Sequence, residues 1–387
     1  MKKGKFALIS IVAIILVFAV AFGAVYFLSD SVDFQPTEGI AQETQAMTQA
    51  PTEPDKAEVL LSSMTLEQKV AQMMMVSCHE GVNIDAASSY GVGGICLYSH
   101  SFAEKNADEV KAMIDSFQSI THVPLHVSTD EEGGTVVRIS SNPLLRETPF
   151  LSPSELKAQG GLDAVKSDTD EKSQLLRALG VNVNLAPVCD VPLDETNYIY
   201  DRCYSLNADE TAQYVGTVVS SMKSHGVGSC LKHFPGYGGS VDTHESMSYD
   251  NREYSAFENG DYKPFIAGIS SGAESVLVSH NIVNCIDSEL PASLSPAVHR
   301  ELREKLNFNG VIITDDLVMQ GIAQFTDGSN AAVLAVKAGN DMIICEDYNT
   351  TVDAIVQAVN NGEISQAQID ASVMRVLKWK NDLGLFN

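Results

Sequence analysis

Short apolar runs alternate with amphipathic stretches along most of the chain after residue 55. Each run is rich in Val, Ile, Leu or Met, which is typical of strands that are buried on both faces. The pattern predicts eight strands, over Ala71–Cys78, Gly93–Tyr98, Pro124–Ser128, Asn182–Val188, Gly228–Lys232, Ser275–Ser279, Val311–Thr314 and Asp341–Cys345. A helical pattern also begins near Asp55, and Thr65 is placed to cap the next helix through Thr65-Leu-Glu-Gln68.

Residues with helical periodicity separate many of these strands. The clearest helices are predicted over Asn106–Ile120, Asp209–Ser224, Pro296–Leu306, Ala331–Ala338, Thr351–Val359 and Gln366–Leu383. Regular alternation of strand and helix implies parallel strands with right-handed crossovers, so the expected fold class is α/β. Eight such units in about 330 residues favour a single (β/α)8 TIM barrel. A doubly wound open sheet is the alternative, but no Gly-x-Gly-x-x-Gly follows a predicted strand.

The amino terminus has a different character. Lys2, Lys3 and Lys5 precede an uncharged, apolar stretch from Phe6 to Ser29. That stretch is long enough to cross a hydrocarbon core of about 30 Å, and the lysines favour a cytoplasmic amino end. We therefore expect residues 1–29 to be a single-pass membrane anchor, residues 30–54 a flexible linker and residues 55–387 an extracellular folded domain. Secretion after signal cleavage is the alternative.

Composition narrows the range of partners. The chain has 25 Lys and Arg against 50 Asp and Glu, a formal net charge of -25, which disfavours a nucleic-acid partner. The seven cysteines form no Cys-x-x-Cys pair, and their odd number argues against a full disulfide framework while leaving one bridge open. We expect a monomer that needs no cofactor.

Ionisable residues follow most of the predicted strands. In a TIM barrel the chemistry takes place at the carboxyl ends of the strands, where the βα loops form one face. A set of charged or titratable residues gathered at that end therefore predicts an active site. Its members are Asp130, Glu131, Asp190, Lys232, His233, His280, Asp315, Asp316 and Glu346.

Several common enzyme classes lack their motifs here. No predicted strand is followed by a Gly-x-Ser-x-Gly nucleophile elbow, and the chain has no His-Glu-x-x-His and no Gly-x-x-x-x-Gly-Lys-Ser/Thr. Its scattered His and Asp residues do not have metal-ligand spacing, so we expect no metal site. Carboxylates together with histidines suit glycosidic bond cleavage, in which one group attacks the sugar and another donates a proton. A histidine can be that donor because its ordinary pKa is about 6.5.

The segment Leu231-Lys-His-Phe-Pro-Gly-Tyr-Gly-Gly-Ser-Val-Asp-Thr-His244 closely resembles a signature of glycoside hydrolase family 3. It is most similar to the bacterial β-N-acetylhexosaminidase branch, where Lys-His-Phe-Pro-Gly is followed by Asp-Ser/Thr-His. Supporting resemblances to the same family are found in Thr129–Arg138, Val311–Met319, Gly91–Tyr98 and Asn184–Asp190. Thr135 departs from the pattern, since the family often has Arg there.

This resemblance implies roles for individual residues. Asp315 would be the nucleophile that forms a covalent glycosyl intermediate with retention of configuration, and Asp316 is the alternative. His244 would be the general acid/base, with Asp242 orienting its ring. The residues that would bind the sugar are Asp130, Arg138, Arg202, Lys232 and His233.

The resemblance also implies the activity, a retaining exo-β-N-acetylglucosaminidase acting on terminal β-linked N-acetylglucosamine of cell-wall or chitin-type saccharides. A β-N-acetylglucosaminide phosphorylase and a β-glucosidase on the same fold are alternatives. A non-catalytic wall-binding protein is a third, disfavoured because Asp242, His244 and Asp315 are all present.

Overall fold

The structure, a computed structural model, describes residues 55–386 apart from 239–246, 320–321, 323–324 and 327–328. The predicted anchor over residues 1–29 and the linker over residues 30–54 lie outside the described residues. Within the described ranges, no helix combines the length and the apolar character needed to cross a membrane.

All eight predicted strands are present, some with shorter bounds, and two further strands form a separate pair. In chain order the strands are β1 (Met74–Cys78), β2 (Gly94–Leu97), β3 (His126–Thr129), β4 (Val183–Asn184), β5 (Gly228–Phe234), β6 (Tyr249–Asp250), β7 (Ser275–Val278), β8 (Ile282–Val283), β9 (Val311–Thr314) and β10 (Ile343–Cys345). The main sheet has the order β10-β1-β2-β3-β4-β5-β7-β9, with every pairing parallel, and β6 pairs with β8.

Hydrogen bonds also join the two ends of this order, β9 and β10. The backbone N–H of Thr314 donates to the carbonyl of Met342 at 3.1 Å, and that of Leu317 donates to Ile344 at 3.1 Å. The sheet thus closes on itself, which confirms the predicted TIM barrel and shows that the open doubly wound alternative is wrong.

Helices surround the barrel, and the six that the sequence predicts are all found. The α-helices of the described residues are Lys56–Ser63, Leu66–Gln72, Ile84–Tyr90, Ser99–Phe102, Ala107–Ser119, Pro153–Leu179, Ala208–Ser224, Tyr254–Ala256, Tyr262–Ser270, Pro296–Arg300, Ser329–Ala338, Tyr348–Asn360 and Gln366–Asp382. Two π-helical turns, Phe257–Asp261 and Glu301–Lys305, continue the helices that precede them. The predicted capping box is present: the Thr65 side chain accepts from Gln68 N, and the Gln68 side chain accepts from Thr65 N.

The longest helix, Pro153–Leu179, is missing from the sequence prediction. It begins at a Ser152 cap with Pro153 in the first turn, and non-helical angles at Gly160 and Gly161 divide it. The glycines interrupt its periodicity, and most of its surface is polar, so the apolar pattern is sparse. The helix is stabilised by packing rather than by a continuous apolar stripe.

The interior of the barrel is filled by side chains. The buried residues of this inner cluster are Met75, Cys96, Val183, Leu185, Cys230, Leu277, Val311, Ile313, Met342, Ile344, Val376, Trp379 and Leu383. A second, larger cluster packs between the strands and the surrounding helices. The barrel is therefore a solid core, and ligands are restricted to its ends. All seven cysteines are free thiols, and all except Cys285 are buried.

Candidate active site

A cavity of about 450 Å³ opens at the carboxyl ends of the barrel strands. It brings together all the predicted site residues that the structure describes, which are Asp130, Arg138, Arg202, Lys232, His233 and Asp315. Asp242 and His244 lie outside the described residues. The six described residues thus line one cavity, and their roles are taken up below.

A buried ion network forms one wall of the cavity. Lys232 is 3% exposed, and its Nζ lies 2.6 Å from both Asp130 Oδ1 and Glu132 Oε1. Arg202 donates from Nε to Glu132 Oε2 at 2.9 Å and from Nη2 to Oε1 at 2.8 Å, a bidentate pair. Because one carboxylate holds two cations, the positions of Lys232 and Arg202 are fixed before any ligand arrives.

The charges in this network control one another's ionisation. Burial alone would raise the pKa of Glu132, but Arg202 and Lys232 together hold it well below its usual value. Burial would lower the pKa of Lys232, yet Asp130 and Glu132 raise it above its usual value. Both groups are therefore charged at neutral pH, and the wall presents fixed hydrogen-bond donors to the cavity.

His233 continues the network toward β4. Its Nδ1 lies 2.7 Å from Oδ2 of Asp190, a fully buried carboxylate, and its Nε2 lies 3.3 Å from Arg202 Nη2. Arginine can only donate, so Nε2 accepts and the neutral ring carries its proton on Nδ1, facing Asp190. Asp190 also accepts from the backbone N–H of Tyr237 at 2.8 Å and so fixes the turn after β5.

Asp315 and Asp316 follow β9 but have different surroundings. Asp315 Oδ1 accepts a hydrogen bond from the Asp316 backbone N–H at 2.9 Å, and its side chain lines the cavity. Asp316 Oδ2 accepts from the Ser77 hydroxyl at 2.5 Å and lies 3.4 Å from His79 Nε2. The Asp316 carboxylate is thus held by neighbouring side chains on the cavity wall.

Three further predicted rim residues have other environments. Glu131 is buried and accepts from the backbone N–H groups of Arg138 and Ile139, so it supports the loop after β3. His280 is also buried, with Nε2 3.0 Å from the Asp316 carbonyl. Glu346 is exposed and does not line the cavity.

Several cavity residues were not assigned by sequence reasoning, chiefly Glu132, His79 and Tyr98. Glu132 had a detectable signal, because side chains alternate along extended backbone and Asp130 and Glu132 therefore share a side that Glu131 does not. His79 directly follows β1 and lies outside the segments that resemble the family. Tyr98 directly follows β2 and ends the segment Gly91–Tyr98, but the resemblance gave it no role.

Replacing Glu132 with Gln should destabilise the protein strongly. The substitution leaves two buried cations without their carboxylate, a change that typically costs about 3–5 kcal/mol. Because the folded-state pKa of Glu132 is lowered, its stabilisation is present above the unfolded-state value of about 4.3 and declines as the pH falls below it. Urea unfolding at pH 7 and pH 3 should therefore show a larger difference between parent and variant at pH 7.

The matched control for this prediction is Glu210→Gln. Glu210 also pairs with a lysine, Lys157, but its side chain is 47% exposed. Exposed pairs contribute little to stability, so this variant should unfold close to the parent. Equal stability of the parent and Glu132→Gln at pH 7 would show that the network is not structural.

A dense set of carboxylates and fixed cations around an open cavity suits the recognition of a polyhydroxylated ligand and attack by a carboxylate. Among the described residues, no group of three or more His, Cys, Asp or Glu side chains is arranged to hold a metal ion.

Comparison with known proteins indicates the same class of protein, an enzyme that cleaves glycosidic bonds. Residues 65–379 match the Glycosyl hydrolase family 3 N terminal domain. The chain therefore belongs to this family and is a glycoside hydrolase.

Individual relatives agree with this assignment. A beta-hexosaminidase of Methylococcus capsulatus is 30% identical over 270 residues, 70% of this chain and 80% of the relative. The solved family 3 beta-N-acetylglucosaminidase from Paenibacillus sp. str. FPU-7 superposes with a TM-score of 0.79 at 31% identity, covering 84% of this chain and 64% of that one. A beta-N-acetylhexosaminidase from Beutenbergia cavernae has a TM-score of 0.75 at 27% identity, covering 82% and 99%.

Proposed function

We propose that the protein is a retaining exo-β-N-acetylglucosaminidase that removes terminal β-linked N-acetylglucosamine. The observation that supports the proposal is the cavity, whose lining includes Asp315 together with the charged residues of the Lys232 network. The names of the similar proteins supply the sugar, since they are a beta-hexosaminidase and beta-N-acetylglucosaminidases.

The bound sugar would lie against the ion network. Asp130 is an acceptor for sugar hydroxyls, and Lys232, Arg202, Arg138 and His233 line the same cavity as donors or polar contacts. The solid barrel core closes the inner end of this site, so only the end of a saccharide chain can enter, which is why we propose exo action.

The reaction would proceed in two displacements. Asp315 attacks the anomeric carbon while His244 donates a proton to the departing oxygen, which gives a covalent glycosyl ester. His244 then takes a proton from water, the water attacks the same carbon, and Asp315 leaves with net retention. Asp242 orients the His244 ring and stabilises its charged form, as a carboxylate does for an imidazole in other enzymes.

The location of the enzyme is also part of the proposal. We infer that residues 1–29 anchor the chain in the membrane and that the linker places the catalytic domain outside the cell, with secretion after cleavage as the alternative. Terminal N-acetylglucosamine of cell-wall or chitin-type saccharides would then be the accessible substrate.

Activity of the purified full-length chain tests the proposed function. We expect turnover of p-nitrophenyl N-acetyl-β-glucosaminide at least about 100-fold faster, in kcat/KM, than of the corresponding β-glucoside, since a site built for an acetamide rejects an analogue that leaves its polar groups unpaired. The release of p-nitrophenol should not become faster when phosphate is added. Preference for the glucoside would overturn the sugar assignment, and formation of a sugar 1-phosphate would identify a phosphorylase.

A further inference from the structure

One wall of the cavity is formed by residues to which the proposed mechanism gives no role. His79 directly follows β1, Tyr98 follows β2 and Asp316 follows β9, and all three line the cavity. These side chains come together because β9, β10, β1 and β2 are neighbours around the barrel. The wall therefore lies on a different side from Lys232 and His233, which belong to β5.

The His79 ring is held in place by its neighbours. It stacks on the Tyr98 ring with a centroid separation of 4.5 Å and an interplanar angle of 28°. Its Nε2 lies 3.0 Å from the Ser77 hydroxyl, which also lies 3.1 Å from the Tyr98 hydroxyl. A ring fixed on one face and at one nitrogen is pre-organised for a contact elsewhere on its surface.

The direction of these hydrogen bonds determines what His79 offers to the cavity. The Ser77 hydroxyl has one proton and donates it to Asp316 Oδ2, so toward His79 it can only accept. Nε2 of His79 is therefore the protonated nitrogen, and Nδ1 is an acceptor in the neutral ring. Within the described part of the chain, Nδ1 makes no hydrogen bond. A ligand hydroxyl fits this nitrogen, and it fits the protonated ring equally well because a hydroxyl also accepts.

Exposure indicates which part of a ligand would reach His79. The side chain of His79 is 39% exposed, whereas those of Lys232 and His233 are 3% and 8% exposed. The network thus lies deep in the cavity and His79 lies at its mouth. An enzyme that binds the terminal sugar at the deep end exposes the next unit of the chain to the mouth.

We propose that His79 is a specificity-determining residue that binds the leaving group: its Nδ1 accepts a hydrogen bond from a hydroxyl of the sugar linked to the terminal N-acetylglucosamine, and its ring face packs against that sugar. This inference rests on the proposed exo-glycosidase function. It predicts that His79 distinguishes substrates with a sugar leaving group from substrates with a flat aromatic one.

The test compares two substrates that share the terminal sugar and differ in the leaving group. One is N,N′-diacetylchitobiose, and the other is 4-methylumbelliferyl N-acetyl-β-glucosaminide. His79→Phe keeps a ring that can stack on Tyr98 but removes the acceptor nitrogen. Loss of one such hydrogen bond should lower kcat/KM on the disaccharide about tenfold and change it about twofold or less on the aryl substrate.

Two further variants make the result specific. His79→Asn restores a polar acceptor close to the position of Nδ1 and should recover part of the activity on the disaccharide. His122→Phe makes the same chemical change at an exposed histidine that precedes β3, at the opposite end of the barrel, and should leave both substrates unaffected.

Equal losses of His79→Phe on both substrates, or no loss on the disaccharide, would overturn the inference. Equal losses would mean that His79 either contacts the terminal sugar or stabilises the fold. A thermal melt would distinguish these two roles, because only the second lowers the stability of the variant. A parent enzyme that cleaves neither substrate would overturn the proposed function and, with it, this inference.

Discussion

Asp315→Asn will lower kcat on any β-linked N-acetylglucosaminide by about 10³-fold or more, as expected when a nucleophile is removed from a covalent mechanism. The amide has nearly the same shape, and its oxygen can still accept the hydrogen bond from the Asp316 backbone N–H. The cavity should therefore keep its geometry and still bind the sugar. Steady-state kinetics measure the loss, and a product-binding titration shows that the site is intact.

The matched control is Asp316→Asn, one residue further along the chain. The Asp316 carboxylate is already bonded to the Ser77 hydroxyl and lies near His79, so it is not oriented for attack. We expect kcat to fall far less than in Asp315→Asn. The reverse order of effects would make Asp316 the nucleophile, which is the alternative that the sequence leaves open.

His244→Ala should produce the second largest loss, and its size should depend on the leaving group. General acid catalysis typically contributes about 10²- to 10⁴-fold. A sugar leaves as a poorly stabilised alkoxide and needs the proton, whereas p-nitrophenolate leaves readily without one. We therefore expect the full loss on N,N′-diacetylchitobiose and a much smaller effect on the glycosylation step of the nitrophenyl substrate, measured in single-turnover experiments.

Two further variants test the proposed role of His244: Asp242→Asn and, as a control, His122→Ala. Without a carboxylate beside it, the imidazolium form of His244 is less stable, so the alkaline limb of the pH–rate profile should move to lower pH in Asp242→Asn. His122 is an exposed histidine and its substitution should change neither rate nor profile. Equal losses of His244→Ala on both leaving groups would remove its assignment as the proton donor.

The eight barrel strands were predictable because each one is short, mostly apolar and buried on both faces. Strands such as β1 and β9 are short apolar runs in which Ser77 and Thr314 are the polar positions, so a few consecutive residues are enough to recognise them. The helix Pro153–Leu179 was missed because its buried positions are sparse and a Gly-Gly pair divides it. Helices on the outside of a barrel need only a narrow apolar face, and their pattern is correspondingly weak.

The residues of the candidate site were likewise only partly predictable from the sequence. Six of its residues, Asp130, Arg138, Arg202, Lys232, His233 and Asp315, were assigned through the resemblance to the family. Glu132 was missed, although it holds Lys232 and Arg202 together. A motif shows which residue types recur along a chain, but it does not show which side chains meet across a barrel.

The sequence by itself determined the barrel, its family and the residues that converge at one end, because hydrophobic period and local motifs are properties of consecutive residues. Only the tertiary structure decided how the charges pair, since Lys232, Glu132 and Arg202 come from three different loops or strands. It also decided which of the two aspartates after β9 has its carboxylate bonded to Ser77, and it brought His79 into the wall of the same cavity. These contacts join residues up to 239 positions apart, and sequence periodicity carries no information over that separation.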